Sequence, residues 1–435
     1  MSLPNQFLVK YSNITLTTNG IPLDITNFVK EIEVIEDIFS TFIYGSITIL
    51  DVPGSRILLR APINGSMDTT IDFSFSGYEG NNKTEQKPIE ITNENYFVYE
   101  IKSFMTDHTT ELCKIYFMHK CYFDNLSEKI SKGYEKKKIS EIVKDIGDHI
   151  NLQWNEIEDT KDTITTGLIY KNPFSHILNL ARSSSRNKNI NDINYFFWQN
   201  INGQHNFVSL GELFSKTPSF GQDTNTGFLY SHYSEGSYEY TRRLITKIDT
   251  LNKGLLDLAK SGAFSSKLIA ISDFYNNTIK TVNYNLKDTW NKQTHISNIP
   301  LINNNSSFWN LIKSTIWSNI LYASRHTFCC KEREGGQKNE INNLQKRISQ
   351  LTQLLQLGIQ FNTSGTTNTD EVSVGKIIYI GRPISNTLID REQEDIFYSG
   401  KFLVTKIKHN IQLNSVPIPR YYCTINAYKD SIGEE

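Results

Sequence analysis

Cysteine is scarce. The 435 residues hold five, Cys113, Cys121, Cys329, Cys330 and Cys423, and no two make a C-x-x-C pair. An odd number without paired spacing is a poor disulfide framework and argues against structural zinc. Long apolar runs are missing too. Stretches such as Leu268-Ile269-Ala270-Ile271 fall far short of the roughly 18 to 20 residues a membrane-spanning helix needs. The opening residues, Met1 to Gln6, lack the basic and apolar sections of a signal peptide, so a chain made and kept in a cytoplasm, with reduced thiols, is expected. Sequons such as Asn13-Ile14-Thr15 then carry no weight. Nor does one sign of charge dominate: 45 Lys+Arg against 46 Asp+Glu leave −1, which excludes a global field for holding nucleic acid or an anionic membrane. G-x-S-x-G, H-E-x-x-H, G-x-G-x-x-G and G-x-x-x-x-G-K-[ST] are all absent.

What is present is patterning. At about 150 residues per domain the length suggests two to four domains. The first hundred residues alternate at period two between turn signals, the mark of half-buried strands. Ile43, Gly45, Ile47 and Ile49 take one face, and Tyr44, Ser46, Thr48 and Leu50 the other. Tyr96 to Phe104, a turn at Thr106 to Thr109, and Cys113 to Cys121 read as a long hairpin. After Leu126 the period changes: Ile139, Ile142, Val143 and Ile146 fall at helical spacing. Asn172-Pro173 then opens a helix with Phe174, Ile177, Leu178 and Ala181 on one stripe. Tyr195 to Trp198 and Phe207-Val208 make an aromatic hairpin. Gly262 to Tyr284 reads as a third hairpin, and Ser307 caps a helix carrying Trp309, Ile312, Ile316, Ile320 and Ala323.

Lys331 to Asp370 looks inserted: a Gly-Gly break, a helix with Ile341, Leu344, Ile348, Leu351 and Leu355 at a/d spacing, and a polar linker, Asn362 to Thr369. Two heptads are short for a coiled coil, so a peripheral amphipathic helix is expected, and the insertion is expected to be replaceable by a Gly/Ser linker.

Candidate chemistry is thin. Cys113, His119 and Cys121 have even spacings that would put three soft ligands on one strand face, but Ile115 and Phe117 between them favour buried thiols and a satisfied histidine. Cys329 and Cys330 read as packing residues. The lysines at 129, 132, 136, 137, 138 and 144 read as a solvated loop and helix face that would otherwise suit an acidic partner. No carboxylate stands in an apolar run that would raise its pKa for general-acid duty, although a pair in a cleft is not excluded. Between Phe402 and Ile411, strict alternation splits the apolar residues between faces. One extra residue near Thr405 to Lys406, a β-bulge, would gather Phe402, Val404, Ile407, His409 and Ile411 on an inner face and turn Lys406 and Lys408 outward.

Several stretches, in order, carry a resemblance. They are Asp37-Ile38-Phe39 through Gly45 to Asp51; the helix Pro173 to Ala181 leading into Tyr195-Phe196-Phe197-Trp198; Gly262 to Asp273; Gly375-Lys376-Ile377-Ile378-Tyr379-Ile380; Tyr398-Ser399-Gly400-Lys401-Phe402 through Ile411; and Tyr421 to Ile425 with Lys429-Asp430. Together they resemble the baseplate central hub proteins of contractile-tailed bacteriophages, related to the hub part of the type VI secretion spike protein VgrG. Lys331 to Asp370 departs from the pattern. The resemblance implies a mainly β protein with α+β parts: two tail-tube-like antiparallel β-barrel domains per protomer, an α+β domain between them and a helical insertion. The corresponding divisions are 1–126, 127–215, 216–260 with 371–430, and 261–370, the last including a coiled-coil-like helix at 338–357.

It further implies a homotrimeric ring in the virion tail baseplate, with the spike protein below, a tail-tube or tube-initiator protein above, and wedge or inner-ring proteins around it. DNA would pass through the lumen without specific binding, with no cofactor, metal, membrane or turnover. The expected interface or structural residues are Gly45, Ile47, Ile49, Asp51, Gly400, Phe402, Val404, Ile407, His409 and Ile411. A tail-associated cell-wall hydrolase and a carbohydrate-binding tail protein are the alternatives.

Overall fold

The computed structural model describes residues 7–51, 68–79, 84–105, 111–161, 163–221, 227–230, 243–272, 278–301, 318–322, 337–382, 394–414 and 418–433. Alternating sequence builds β1 (Val29–Asp37), β2 (Tyr44–Asp51), β3 (Thr69–Ser76), β4 (Tyr96–Met105) and β5 (Glu111–His119). They are hydrogen-bonded in the order β1, β2, β5, β4, β3, and the hairpin Thr15–Thr18 and Ile21–Asp24 forms the far edge. Pro22, which has no amide to donate, sits in that edge strand and blunts it. The expected hairpin is β4 and β5; its turn lies outside the described residues.

The middle of the chain packs α1 (Ile139–His149) and α2 (Pro173–Ser183) against β6 (Tyr195–Gln199) and β7 (His205–Ser209). The four helical-spaced residues of α1 are buried as expected. On α2 the stripe centres on Ile177, which brings in Leu180 and leaves Leu178, expected on the stripe, 42% exposed. The lysine-rich stretch keeps its loop at Lys129 and its exposed helix face at Lys144, but between them Ile130–Lys138 is a strand paired with Thr163–Lys171. Ile130 and Tyr134 turn inward while Lys132, Lys136 and Lys137 stay exposed, Lys132 reaching out to Asp145 (2.6 Å). Every residue of β6 is buried because it serves two cores: Tyr195 and Phe197 face the α1/α2 core, Phe196 and Trp198 the core of the large sheet.

The rest of the chain supplies β8 (Phe228–Tyr230), β9 (Arg243–Thr250), β10 (Ser265–Ser272), β11 (Thr278–Asn285), α3 (Gln337–Leu354), β12 (Leu357–Ser364), β13 (Ile377–Gly381), β14 (Gly400–Gln412) and β15 (Arg420–Lys429). Backbone pairing runs β13, β8, β9, β12, β15, β14 and back to β13, a closed circuit of six strands. Phe228, Phe361, Ile378, Phe402 and Ile425 fill it, all at most 1% exposed. From β14 the pairing continues into β1, so one large, curled, mostly antiparallel sheet runs through both ends of the chain and shares one hydrophobic core.

Three expectations need correction here. Of the helix expected from Ser307, the part up to residue 317, with Trp309, Ile312 and Ile316, lies outside the described residues, as does Ala323. Ile320 belongs instead to a strand, Ser318–Tyr322, paired in parallel with the open edge of β10. A short β-branched and aromatic segment beside an unpaired strand edge gains a ladder of backbone hydrogen bonds that a helix there would not supply. Second, the supposed insertion contains β12, which lies between β9 and β15, so Leu357 to Ser364 is core sheet and a linker could not replace it. The polar residues Asn362 and Thr363 had suggested a loop, but only alternate residues of a sheet strand must be apolar.

Third, α3 is not peripheral. Besides Leu354 at its end, its most buried residues are polar, Gln345, Ser349 and Gln353, while Leu344, Ile348 and Leu351 are only half-buried. Gln345 Nε2 donates to Ser266 Oγ (3.0 Å), Ser349 Oγ to Ala263 O, Gln350 Nε2 to Asn191 O (3.0 Å) and Arg347 to Ala181 O at the end of α2 (3.0 Å). The helix thus pins the β10/β11 hairpin to the middle unit through hydrogen bonds that apolar periodicity does not report.

The pairing of β14 with β15 shifts between Val404 and Lys406, which places a bulge at Thr405. Phe402, Val404, Ile407, His409 and Ile411 are all at most 3% exposed on the inner side, while Lys406 and Lys408 are half-exposed. Val404→Asp places an unpaired carboxylate in this core and is expected to cost about 3 to 5 kcal/mol. The check is the urea midpoint of the purified protein; a midpoint equal to wild type rules out the inner-face assignment.

Candidate functional surface

The ten residues expected from sequence lie on two strands, β2 and β14, on either side of β1. Ile47 and Ile411 flank Ile32 of β1, and Gly45 and His409 flank Val34. The row through Gly45 continues to Phe117 on one side and to Cys423 and Thr363 on the other. A Cβ at residue 45 would lie 2.3 Å from Glu33 O and 2.4 Å from the Phe117 ring, so only glycine lets this row close. Gly400 begins β14 at φ +105°, a backbone region that side chains rarely enter. Apart from the partly exposed Gly400, the ten are buried within this chain, including Asp51 at 8%, and they build the seam of the sheet without presenting a contact surface. Histidine 409 accommodates its burial through Tyr421 Oη (2.7 Å), whose hydroxyl donates to Thr366 O (2.8 Å). Burial pushes its pKa down to about 4, so the ring is neutral.

The opposite face of the same strands is polar, and sequence reasoning found only its lysines. Glu33 on β1 accepts from Lys114 of β5 (3.1 Å), from Lys408 of β14 and from Ser46 Oγ of β2 (3.0 Å). Lys406 pairs with Asp37 (3.2 Å), and Asn410, Thr424 and Asn362 link β14, β15 and β12 (3.1 and 2.9 Å). Further along the face lie Lys102 with Glu100 and Lys247 with Asp249. Burial alone would raise the Glu33 carboxyl, but its two ammonium neighbours outweigh that and hold it below the usual carboxylate range. Burial and the adjacent Glu33 raise Glu31. Lysines on β4, β5, β14 and β9 thus lie on this face with their charge cancelled locally. The missed signal was the pair of outward acids, Glu33 and Asp37, whose partners are visible only once β1 is known to lie beside β14.

The soft-ligand trio does not form. Cys113 is in the large core, β5 ends at His119, and Cys121 starts a short helix and packs with the middle unit. A cleft of about 500 Å³ lies between that corner and the middle unit, lined by His119, Asp124, Glu128, His149 and His205 among others. Burial pushes His119 to about 4 and His205 to about 3. No group of three His, Cys, Asp or Glu suited to a metal occurs among the described residues. Cys329 and Cys330 lie outside them.

Because the Glu33 carboxyl is held low, its stabilisation is present above the ordinary carboxylate pKa and disappears as pH falls through the lower folded value. Glu33→Gln is expected to cost about 1 to 2 kcal/mol at pH 7, with the gap to wild type closing below about pH 4. Urea denaturation at pH 7 and at pH 3.5 checks this; an equal gap at both would remove the ion pairs as its cause.

No protein-family model matches the chain, and no curated protein matches it in sequence. Among solved structures, it is similar to the 43 kDa tail protein of prophage MuSo2 from Shewanella oneidensis, with a TM-score of 0.54 and 7% identity, over 96% of this chain and 99% of that one. It is also similar to a tail protein from Neisseria meningitidis MC58, with a TM-score of 0.51 and 8% identity, over 97% of each chain. At such identities the likeness is one of fold, and over nearly its whole length this chain has the fold of these tail proteins.

Proposed function

We propose that the chain is a structural hub of a phage tail baseplate, a homotrimeric ring in the virion that adapts a three-fold spike to a six-fold tail tube. On this reading the six-strand circuit and the β1 to β5 sheet are two tube-like barrels, so three protomers present six similar units around an axis. The middle unit, 127–215, stands outside them. The spike protein binds below, a tail-tube or tube-initiator protein above, and wedge or inner-ring proteins around the rim.

The observation that carries the reading is the polar face across β5, β2, β1, β14, β15 and β12. A conduit for DNA must neither hold the phosphate backbone nor repel it strongly. Free lysines would bind it through counterion release, and free carboxylates would oppose its passage. Lysines neutralised by Glu33 and Asp37 within the same sheet do neither. The fold shared with tail proteins over almost the whole chain supports the same assignment.

The hydrolase alternative gains little from the acids. Glu36, whose carboxyl burial raises to about 8, is 0% exposed and cannot reach a glycosidic oxygen. Glu158, Asp192 and Glu212 are all engaged by the buried Arg186. Carbohydrate binding would call for exposed aromatic platforms; the exposed rings Phe39, Tyr170 and Phe397 are scattered over separate elements.

Light scattering of the protein with its spike partner is expected to give three copies per complex; one or two copies would overturn the ring. The wild-type complex is also expected not to retain duplex DNA at about 0.15 M salt, while the double charge reversal Glu33→Lys and Asp37→Lys, read in the same assembled complex, should retain it. If the reversed complex assembles and still ignores DNA, this face does not line the conduit.

A further inference from the structure

The edge of β14 passes from one partner to another at the Thr405 bulge: residues 400–403 pair with β13 and residues 406–412 with β1. The two partner strands meet there. Gly375 N–H, just before β13, donates to Val404 O (2.9 Å), and Ile38 N–H, just after β1, donates to Thr405 O (2.9 Å). Glu36 stands beside this meeting point, opposite Ile407, continuing the inward row of Ile32 and Val34.

Its position is unusual for an acid. The residue is 0% exposed, and neither carboxyl oxygen makes a hydrogen bond among the described residues. Two main-chain amides face it without closing a bond, those of Val374, next to Gly375, and Ile201, in the turn between β6 and β7. One carboxyl therefore sits where β1, the segment entering β13 and the middle unit touch. Tyr96 of β4 is the titratable side chain facing it, with Cys121 behind; burial keeps both protonated. His119, edge-on to Tyr96, is neutral. Asp37 and Lys406, its neighbours along and across the strands, are paired on the opposite face. No cation among the described residues offsets a charge on Glu36.

A carboxylate sealed from water with no cation costs far more than its neutral form. We propose that Glu36 is a proton-controlled latch on the seam between the two halves of the sheet, closed while its carboxyl is neutral and sprung when the carboxyl ionises. The ionised group needs water or donors, and the shortest route to both is separation of β1 and the middle-unit turn from the segment entering β13. Springing the latch breaks the Gly375 and Ile38 hydrogen bonds, the two that seal the partner switch. The polar Trp198 Nε1, buried without a partner on the middle-unit side, is uncovered by the same movement.

The sign follows from burial, which raises the folded pKa to about 8. The latch is fully effective below the ordinary carboxylate pKa and is progressively lost as pH rises from there through the folded value. The inference stands whether or not the chain assembles as a ring.

The test is amide hydrogen exchange at Ile38 and Gly375 in wild type and in Glu36→Gln, whose side chain is neutral at every pH. Dividing the wild-type rate by the variant rate at each pH removes the intrinsic pH dependence of exchange. The ratio is expected to climb by up to about tenfold per pH unit between pH 5.5 and 8 and then level off. A ratio flat across that range overturns the latch. Should Glu36→Gln fail to fold, isotope-edited infrared spectra of the wild-type glutamates decide the matter. One protonated carboxyl persisting at pH 7 and lost near pH 8 upholds the proposal; complete ionisation by pH 6 refutes it.

Discussion

The architecture depends on one strand serving three partners. β15 follows β14 along one edge, while the other edge goes first to β13, closing the six-strand circuit, and then to β1, opening the second half of the sheet. A regular strand cannot do this and keep its apolar side chains in one core, because the two halves of the edge must diverge in direction. The extra residue at Thr405 bends the strand and resets its alternation, so Phe402 and Val404 fill the circuit while Ile407, His409 and Ile411 fill the seam with β1. The bulge is what lets the two halves share one hydrophobic core.

The middle unit is joined to that sheet by a related economy. β6 places Tyr195 and Phe197 in one core and Phe196 and Trp198 in the other, so the four rings adhere to both bodies at once. Polar contacts fix the orientation: Gln199 Oε1 accepts from Ile43 N–H (2.9 Å), and His205 Nε2 donates to Thr41 O (3.2 Å). Apolar contact supplies the adhesion, and directional bonds select one docking angle from the many that adhesion alone would permit.

Much of this was legible in the sequence where burial followed a simple period. The two faces of β2, the β4/β5 hairpin, the α1 stripe and the bulge in β14 all follow from apolar spacing. The failures share a cause. The buried face of α3 is glutamine and serine, β12 carries Asn362 and Thr363, and Ser318–Tyr322 is selected by a neighbouring strand edge. In each the deciding partner lies far away in the chain and is polar or main-chain, and neither leaves a hydrophobic period. The ladder on the outer face was half legible for the same reason: the bulge turned Lys406 and Lys408 outward, but Glu33 and Asp37 became their partners only through a pairing between the two ends of the chain.

That pairing bears on how the protein is made. β1 is synthesised well before the strand that covers its free edge, residues 406–412. Until that strand is made the edge of β1 has no such cover, and contacts of such long sequence separation form slowly. The acids on β1 then act as gatekeepers. Glu33 and Asp37 repel a like strand from another nascent copy, and the charges that deter this mispairing are the ones that Lys408 and Lys406 neutralise when the correct strand arrives.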